Sequence, residues 1–152
     1  MVSWGNQIGS HGYSHFNMDW LDTYGRQQEL VKLEQALNKV IGKRPTFFRP
    51  PYAACNSECV ADVEKMGYRV VNFDLDTKDY ENNTPLTIMV AKARFDQQLD
   101  KADPRTDSFI VLSHDVQEQT ANVLLVHMLQ KIREKGFRAV TLGECLGDPK
   151  LN

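Results

Sequence analysis

Apolar residues recur along the chain with two alternating periods, which predicts helices and strands in turn. Between Asp22 and Ile41 they return every three or four residues, as on one face of a helix, and Gly42 is a suitable stop. Residues 108–113 are almost wholly apolar, as expected of a parallel strand buried on both faces. The polar stretch 74–83 is predicted to be a loop. Further helices are predicted at 56–67, 84–101, 120–135 and 142–146, and further strands at 7–10, 46–48, 68–73 and 138–141.

This order is a strict alternation of five strands and five helices. Such alternation predicts an α/β fold whose parallel strands are joined by right-handed crossovers, either a doubly wound sheet or a β/α barrel. Five strands are too few for the usual eight-stranded closure, so we expect an open sheet or an incomplete barrel. No internal repeat or linker interrupts the pattern, and a single domain over residues 1–152 is predicted.

Composition and charge narrow the class of protein. The chain has 41% hydrophobic and 25% charged residues and a net charge of −2, with no basic tract. We therefore expect neither a nucleic-acid partner nor an anionic membrane surface. No apolar run approaches the roughly 20 residues of a membrane span. The residues after Met1 do not read as a signal peptide.

The three cysteines suggest an oxidising compartment. Cys55 and Cys59 are four residues apart around a predicted helix start, which allows a local disulfide, although two buried free thiols are an equally good interpretation. Cys145 then has no partner within the chain. Asn82 begins a glycosylation sequon, a weak signal in the same direction. The odd cysteine and the lack of a signal peptide suggest that sequence is missing before Met1.

Polar side chains gather where the predicted strands end. In a parallel sheet those ends share one rim, so residues distant in sequence converge there. Taken singly, each has a structural alternative as a helix cap, a surface charge or part of a solvated loop. The residues are His11 and His15 after the first strand, Arg49 after the second, Asp74, Asp76 and Asp79 after the third, and His114 with Asp115 after the fourth.

The two histidines at the first strand end are candidate metal ligands. His11 and His15 are four residues apart, so their imidazoles can reach one ion, and neutral imidazole is a good Zn²⁺ ligand. Catalytic zinc sites usually have three protein ligands and an open position, so a third ligand is still required. Without one, two surface or capping histidines remain an alternative.

Four segments together resemble the motifs of a known family, in the family's order. They are Ser10–His15 (SHGYSH), Arg49–Tyr52 (RPPY), Asp76–Tyr80 (DTKDY) and Leu112–His114 (LSH). The chain resembles the polysaccharide deacetylases of the NodB-homology type, carbohydrate esterase family 4, and most of all their fungal chitin deacetylases. The resemblance implies a distorted, incomplete β/α barrel, here without its first strands. It also implies an extracellular or cell-wall hydrolase acting on a polysaccharide that contains N-acetylglucosamine.

The resemblance also implies a role for each motif residue. His11 and His15 would bind a divalent metal, usually zinc, and Arg49 would position the catalytic aspartate. His114 would be the general acid that protonates the leaving amine, with Asp79 holding it in place. The substrate-binding residues implied are Tyr52, whose backbone N–H would help to hold the oxyanion, together with Pro51, Tyr80 and Leu112.

Two departures from the family pattern affect the expected activity. Tyr80 stands where the family usually has tryptophan, which keeps an aromatic wall. The family's early Asp-Asp pair, which supplies the general base and the third metal ligand, is absent from the chain. Loss of a general base alone removes a factor of about 10²–10⁴ in rate. We therefore expect a weakened zinc site and a poor deacetylase or none; a non-catalytic glycan-binding protein and an unstable fragment are the alternatives.

Overall fold

The computed structural model describes residues 2–147. Within this range the helices are α1 (Thr23–Ile41), α2 (Ser57–Lys65), α3 (Ile88–Lys101), α4 (Leu125–Glu134) and α5 (Leu142–Cys145). The strands are β1 (Phe47–Phe48), β2 (Arg69–Val70), β3 (Leu75–Asp76) and β4 (Val111–Leu112). A π-helical segment, Thr120–Leu124, runs directly into α4, and short 3₁₀ turns lie at Val2–Trp4, Met18–Trp20, Pro51–Ala53 and Asp79–Glu81.

The chain forms two compact units. Among the described residues, the terminal unit contains 2–72 and 140–147, and the central unit is Phe73–Ala139. Each has its own hydrophobic core. The expectation of one domain over residues 1–152 stays a prediction.

The terminal unit is built on a short parallel pair. β1 pairs with β2, and Ser10 adds a parallel bridge to Phe48 on the other side of β1. The Ser10 N–H donates to the Phe47 carbonyl at 2.8 Å, and the Arg49 N–H donates to the Ser10 carbonyl at 3.0 Å. The strand predicted at 7–10 is thus reduced to one bridging residue. The core of this unit consists of Met18, Leu30, Phe48, Cys59, Val63 and Tyr68.

Side-chain caps fix the helices of the terminal unit close to their predicted limits. Asp22 caps α1 by accepting from the Gly25 N–H at 2.7 Å, and Gly42 ends the helix in the left-handed region at φ 66°. A disulfide joins Cys55 and Cys59 at the start of α2, with 5.2 Å between the Cα atoms, so the first of the two interpretations is confirmed. Cys145 is an exposed free thiol.

The central unit is also built on a parallel pair, formed by β3 and β4. The predicted loop over 74–83 is wrong at its start, because Leu75 and Asp76 form β3. Leu75 and Thr77 are buried on either side of Asp76, and the Thr77 hydroxyl donates to the Leu112 carbonyl at 2.8 Å. The strand was not predicted because Thr77, which is buried through its bond to the Leu112 carbonyl, reads in the sequence as a polar loop residue. The core residues are Leu75, Ile88, Ala91, Phe95, Leu99, Leu124 and Met128.

Two further elements differ from prediction. No strand forms over 138–141 in the described part of the chain, because residues 138–140 are exposed and do not pack as a buried strand would. The helix predicted from residue 84 begins at Ile88, since Thr84 and Thr87 first exchange hydrogen bonds of 3.1 Å in a separate turn. None of the described helices has the length and apolar character needed to cross a membrane.

Candidate functional site

A tight loop in the terminal unit carries the two predicted metal ligands. His11 and His15 lie edge to face, with 4.9 Å between their ring centroids. Gly12 and His15 both have left-handed backbones, at φ 74° and 57°. A left-handed histidine is uncommon and costs on the order of 1 kcal/mol or more, which is typical of functional sites. The loop thus brings the two imidazoles together.

A hydrogen bond to the Arg49 backbone fixes the orientation of the His11 ring. Its Nδ1 lies 2.5 Å from the Arg49 carbonyl oxygen. Since a carbonyl oxygen can only accept, Nδ1 carries a hydrogen, and in the neutral ring the lone pair is therefore on Nε2. A backbone carbonyl on the far nitrogen is the usual way in which proteins prepare a histidine to bind a metal.

A buried carboxylate supports this loop from α1. Glu29 is only 8% exposed and accepts from the Ser14 N–H at 2.8 Å and from the Ser14 hydroxyl at 2.5 Å. A Cβ on Gly12 would lie 3.2 Å from the Glu29 Oε2 atom, so glycine suits this position in both backbone and space. Our sequence reasoning missed Glu29, which reads there as one of many charged residues on a helix.

Arg49 and Tyr52 follow β1 in the same unit. Arg49 is half-buried, and burial lowers the pKa of its guanidinium. Tyr52 is 69% exposed, has a left-handed backbone at φ 58°, and meets the His15 ring edge to face at 4.8 Å. Ala53 is left-handed as well, and the neighbouring Pro51 is buried. The RPPY segment therefore presents an aromatic ring beside the histidine loop.

The central unit holds a buried carboxylate–histidine pair. Asp79 is fully buried, and its Oδ1 lies 2.8 Å from His114 Nδ1. The Asp79 Oδ2 atom accepts from the His114 N–H at 2.6 Å. The side chain of His114 remains 28% exposed, so the ring is held from behind and reaches solvent in front.

Asp79 is kept ionised by the hydrogen bonds that it accepts. Burial alone raises the pKa of this carboxyl, but bonds from the His114 ring, the His114 N–H and the Thr120 hydroxyl outweigh it and hold the pKa below its usual value. An ionised carboxylate only accepts, so Nδ1 of His114 is the donor and Nε2 is directed away from the pair. Thr120 was not identified from the sequence, where it is simply the first residue of a predicted helix.

Tyr80 forms a wall beside His114. The two rings meet edge to face with 5.4 Å between centroids, and the Tyr80 hydroxyl donates to Asp76 Oδ2 at 3.1 Å. Burial, and then the Asp76 carboxylate, raise the pKa of this phenol. Leu112 is buried in β4. A tyrosine in the place usual for tryptophan therefore gains an anchoring hydrogen bond.

The His11 and His15 imidazoles are potential ligands of a metal ion. Two neighbouring imidazoles, one with Nε2 prepared by a carbonyl, match in kind the ligands of Zn²⁺ and related ions. Across residues 2–147 no group of three or more His, Cys, Asp or Glu side chains is placed to share an ion. The two imidazoles therefore fit Zn²⁺ in ligand type, but they are fewer than the three protein ligands that are usual in a catalytic zinc site.

The predicted site residues fall into two groups, one in each unit. His11, His15, Arg49 and Tyr52 gather in the terminal unit, and the structure brings Asp79, Tyr80 and His114 together in the central unit. His127 forms a separate pair with Asp96 at 2.8 Å and was not among the predicted site residues.

Comparison with known proteins identifies the family. The family model described as "Polysaccharide deacetylase" matches residues 1–71. A chitin deacetylase of Colletotrichum lindemuthianum is 40% identical over 148 residues, which are 97% of this chain and 59% of that protein. A chitin deacetylase of a Pestalotiopsis species is 39% identical over 148 residues, 97% of this chain and 48% of that protein. The chain thus spans about half to three fifths of these relatives.

A solved structure supports the same assignment. The chitin deacetylase of C. lindemuthianum superposes with a TM-score of 0.95 at 41% identity, covering 99% of this chain and 66% of that one. This likeness confirms the predicted NodB-like α/β fold of the incomplete-barrel class. The chain belongs to the polysaccharide deacetylase family, and it is similar to fungal chitin deacetylases at 39–41% identity.

Proposed function

We propose that the chain takes part in hydrolytic removal of acetyl groups from a polysaccharide that contains N-acetylglucosamine, such as chitin. The observation that carries this proposal is the buried Asp79, which orients a partly exposed His114. Family membership and the names of the relatives support the same substrate class. An extracellular or cell-wall location is proposed on the same grounds.

His114 is the proposed general acid. With Nδ1 bound to an ionised carboxylate, its Nε2 can carry a proton and deliver it to the nitrogen that leaves when the amide C–N bond breaks. Asp79 is buried and bonds to His114, to the Tyr80 N–H and to Thr120. It therefore acts as a positioning residue that stabilises the charged His114 ring. This division of roles needs a carboxylate that stays ionised, in agreement with the lowered pKa of Asp79.

The proposed metal ligands are His11 and His15, with zinc the ion favoured by imidazole donors. Such an ion, if held by these two imidazoles, would polarise an acetamide carbonyl and lower the pKa of a coordinated water. The half-buried Arg49 guanidinium is suited to hold a carboxylate close to the histidine loop.

Four residues are proposed to contact the sugar. The exposed Tyr52 ring and the partly exposed Tyr80 ring offer flat apolar faces for stacking against a pyranose. Leu112, buried in β4, is proposed to line the pocket for the acetyl methyl group, and the buried Pro51 is proposed as a substrate-binding residue next to Tyr52.

The activity of this 152-residue chain is proposed to be low. Two imidazoles hold a divalent ion more weakly than three ligands do, and the sequence has no Asp-Asp pair to supply a general base. Residual acetate release should still depend on the proposed general acid.

The experiment is acetate release from chitin oligomers, measured with the chain loaded with Zn²⁺ and compared with a chelated sample. His114→Gln is the test variant, and His127→Gln is its matched control. Both histidines are 28% exposed, lie in the central unit and bind an aspartate at 2.8 Å. We expect His114→Gln to lose about 10²-fold or more of any measured rate, whereas His127→Gln keeps it. Equal loss in both variants would refute the role of His114.

A second candidate function is glycan binding without deacetylation. It is favoured by the lack of a three-ligand metal group among the described residues. Titration of chitin oligomers followed by NMR would then show binding that weakens in Tyr52→Ala and Tyr80→Ala. Tyr24→Ala is the control, because Tyr24 is a similarly exposed tyrosine in the first turn of α1. No acetate release from any variant, with binding retained, would favour this candidate over the first.

A further inference from the structure

Thr120 is a buried polar residue that the proposed mechanism does not use. It is 2% exposed, and its hydroxyl lies 2.8 Å from Asp79 Oδ2. Because Asp79 is ionised, the hydroxyl must be the donor in this bond. The bond spans 41 residues of sequence and joins the start of the π-helical segment to the proposed general acid's partner.

This bond completes the coordination of the Asp79 carboxylate. Oδ1 accepts from His114 Nδ1 at 2.8 Å and from the Tyr80 N–H at 3.0 Å. Oδ2 accepts from the His114 N–H at 2.6 Å and from the Thr120 hydroxyl. Each oxygen thus receives two donors, and a rotation of the carboxylate would break several bonds at once. Besides the His114 ring itself, Thr120 is the side-chain donor of this set, and a substitution can remove it without altering the backbone.

The local helix geometry directs the Thr120 hydroxyl away from its own helix and toward Asp79. Within an α-helix a threonine hydroxyl commonly returns to the carbonyl four residues earlier. Here Thr120 begins a π-helical turn, in which its carbonyl accepts from the Leu125 N–H, and its hydroxyl is used by Asp79 instead. Single π-helical turns are rare and occur frequently at functional sites.

We propose that Thr120 is a positioning residue for His114: its hydroxyl locks the plane of the Asp79 carboxylate, so that Oδ1 stays on the Nδ1–H of His114 and Nε2 stays directed outward. The catalytic meaning of this role rests on the proposed function. The positioning itself is a property of the central unit and can be measured without metal, substrate or turnover.

Charged and titratable groups neighbour His114 on the Asp79–Glu81 turn and in its own segment. Asp79 and the Tyr80 ring face it from the Asp79–Glu81 turn, and Asp115 follows it in the chain. Asp76 on β3 accepts from the Tyr80 hydroxyl at 3.1 Å.

The test compares the complete chain with Thr120→Val, which removes the hydroxyl at nearly constant shape, and with Thr120→Ser, which keeps it. Carboxyl ¹³C NMR gives the pKa of Asp79, and imidazole ¹⁵N NMR gives the fraction of neutral His114 with hydrogen on Nδ1. In Thr120→Val we expect the pKa of Asp79 to rise by about one unit, since a donor to the charged form is lost. We also expect the Nδ1–H fraction to fall, and both values to return in Thr120→Ser.

An unchanged Nδ1–H fraction in Thr120→Val would overturn the proposal, even with a raised pKa, because the ring would then be positioned without the hydroxyl. If Thr120→Val does not fold, NMR of the Thr120 hydroxyl proton in the unmodified chain still tests the proposal. A slowly exchanging Thr120 hydroxyl proton close to Asp79 supports the bond, and its absence refutes the proposal. Failure of the proposed function would leave these NMR results unchanged, so the two failures are distinguishable.

Discussion

Replacement of Asp79 with asparagine is expected to destabilise the central unit by about 3 kcal/mol or more. The carboxylate is fully buried and accepts four hydrogen bonds. The asparagine amide has the same shape but presents an NH₂ group in place of one oxygen, so two of the four donors meet another donor. Each lost bond to a charged acceptor is worth roughly 1.5–3 kcal/mol, and relaxation recovers part of the total.

The matched control is Asp96→Asn. Asp96 makes the same type of bond, to His127 at 2.8 Å, but its side chain is 29% exposed and water can replace the lost contact. We expect a cost below about 1 kcal/mol there. Because the chain has two compact units, hydrogen exchange of amides in α3 and α4 is preferred to a single melting curve. Equal costs for the two substitutions would refute the reasoning.

Asp79→Asn also tests how the stability of the fold changes with pH, because the lowered pKa of Asp79 fixes the direction of that change. The pKa of Asp79 in the folded chain lies below its usual value, so this carboxylate stabilises the fold above about pH 4, the unfolded value. The contribution is lost as the pH falls through the folded pKa. Asp79→Asn should therefore show a flatter loss of stability on acidification than the unmodified chain, and an unchanged acid profile would contradict the assignment.

Three further substitutions test other contacts. Glu29→Gln should weaken Zn²⁺ binding by the two-histidine loop about tenfold in chelator competition; unchanged affinity would remove its supporting role. Tyr80→Phe loses the bond to Asp76 but keeps the ring, so oligosaccharide binding measured by NMR should change less than twofold, and a large loss would assign the hydroxyl to the sugar. Asp62→Ala should cost about 3 kcal/mol in urea denaturation, because the buried Arg26 then keeps only the exposed Glu58, at 3.3 Å, as an acidic partner; a cost under 1 kcal/mol would contradict this.

The helices could be predicted from sequence because their ends carry local signals. Asp22 and Gly42 bound α1, and Asn56 caps α2 as its residue type suggests. The strands were harder, since each is only two residues long and is stabilised by contacts distant in sequence. β3 in particular depends on the Thr77–Leu112 hydrogen bond, which no local pattern reveals.

The candidate site was predictable where residues act through a motif and not where they act through burial. His11, His15, Asp79 and His114 stand in short recognisable segments, whereas Glu29 is an ordinary helical residue until the fold places Ser14 against it. Whether Cys55 and Cys59 are bonded was left open by the sequence, because a spacing of four permits both states; the structure shows the bond.

Helix α1 contains two buried charged residues one turn apart, and each has a single set of partners. Arg26 donates to Asp62 at 2.9 Å and to the Met18 carbonyl at 3.1 Å and lies 3.3 Å from Glu58, while Glu29 accepts from Ser14. A slip of α1 by one turn, about 5.4 Å, would leave both charges buried and unpaired. The alignment of this helix is thus specified by polar recognition, and homologues should exchange Arg26 together with Asp62, and Glu29 together with Ser14, as covarying pairs.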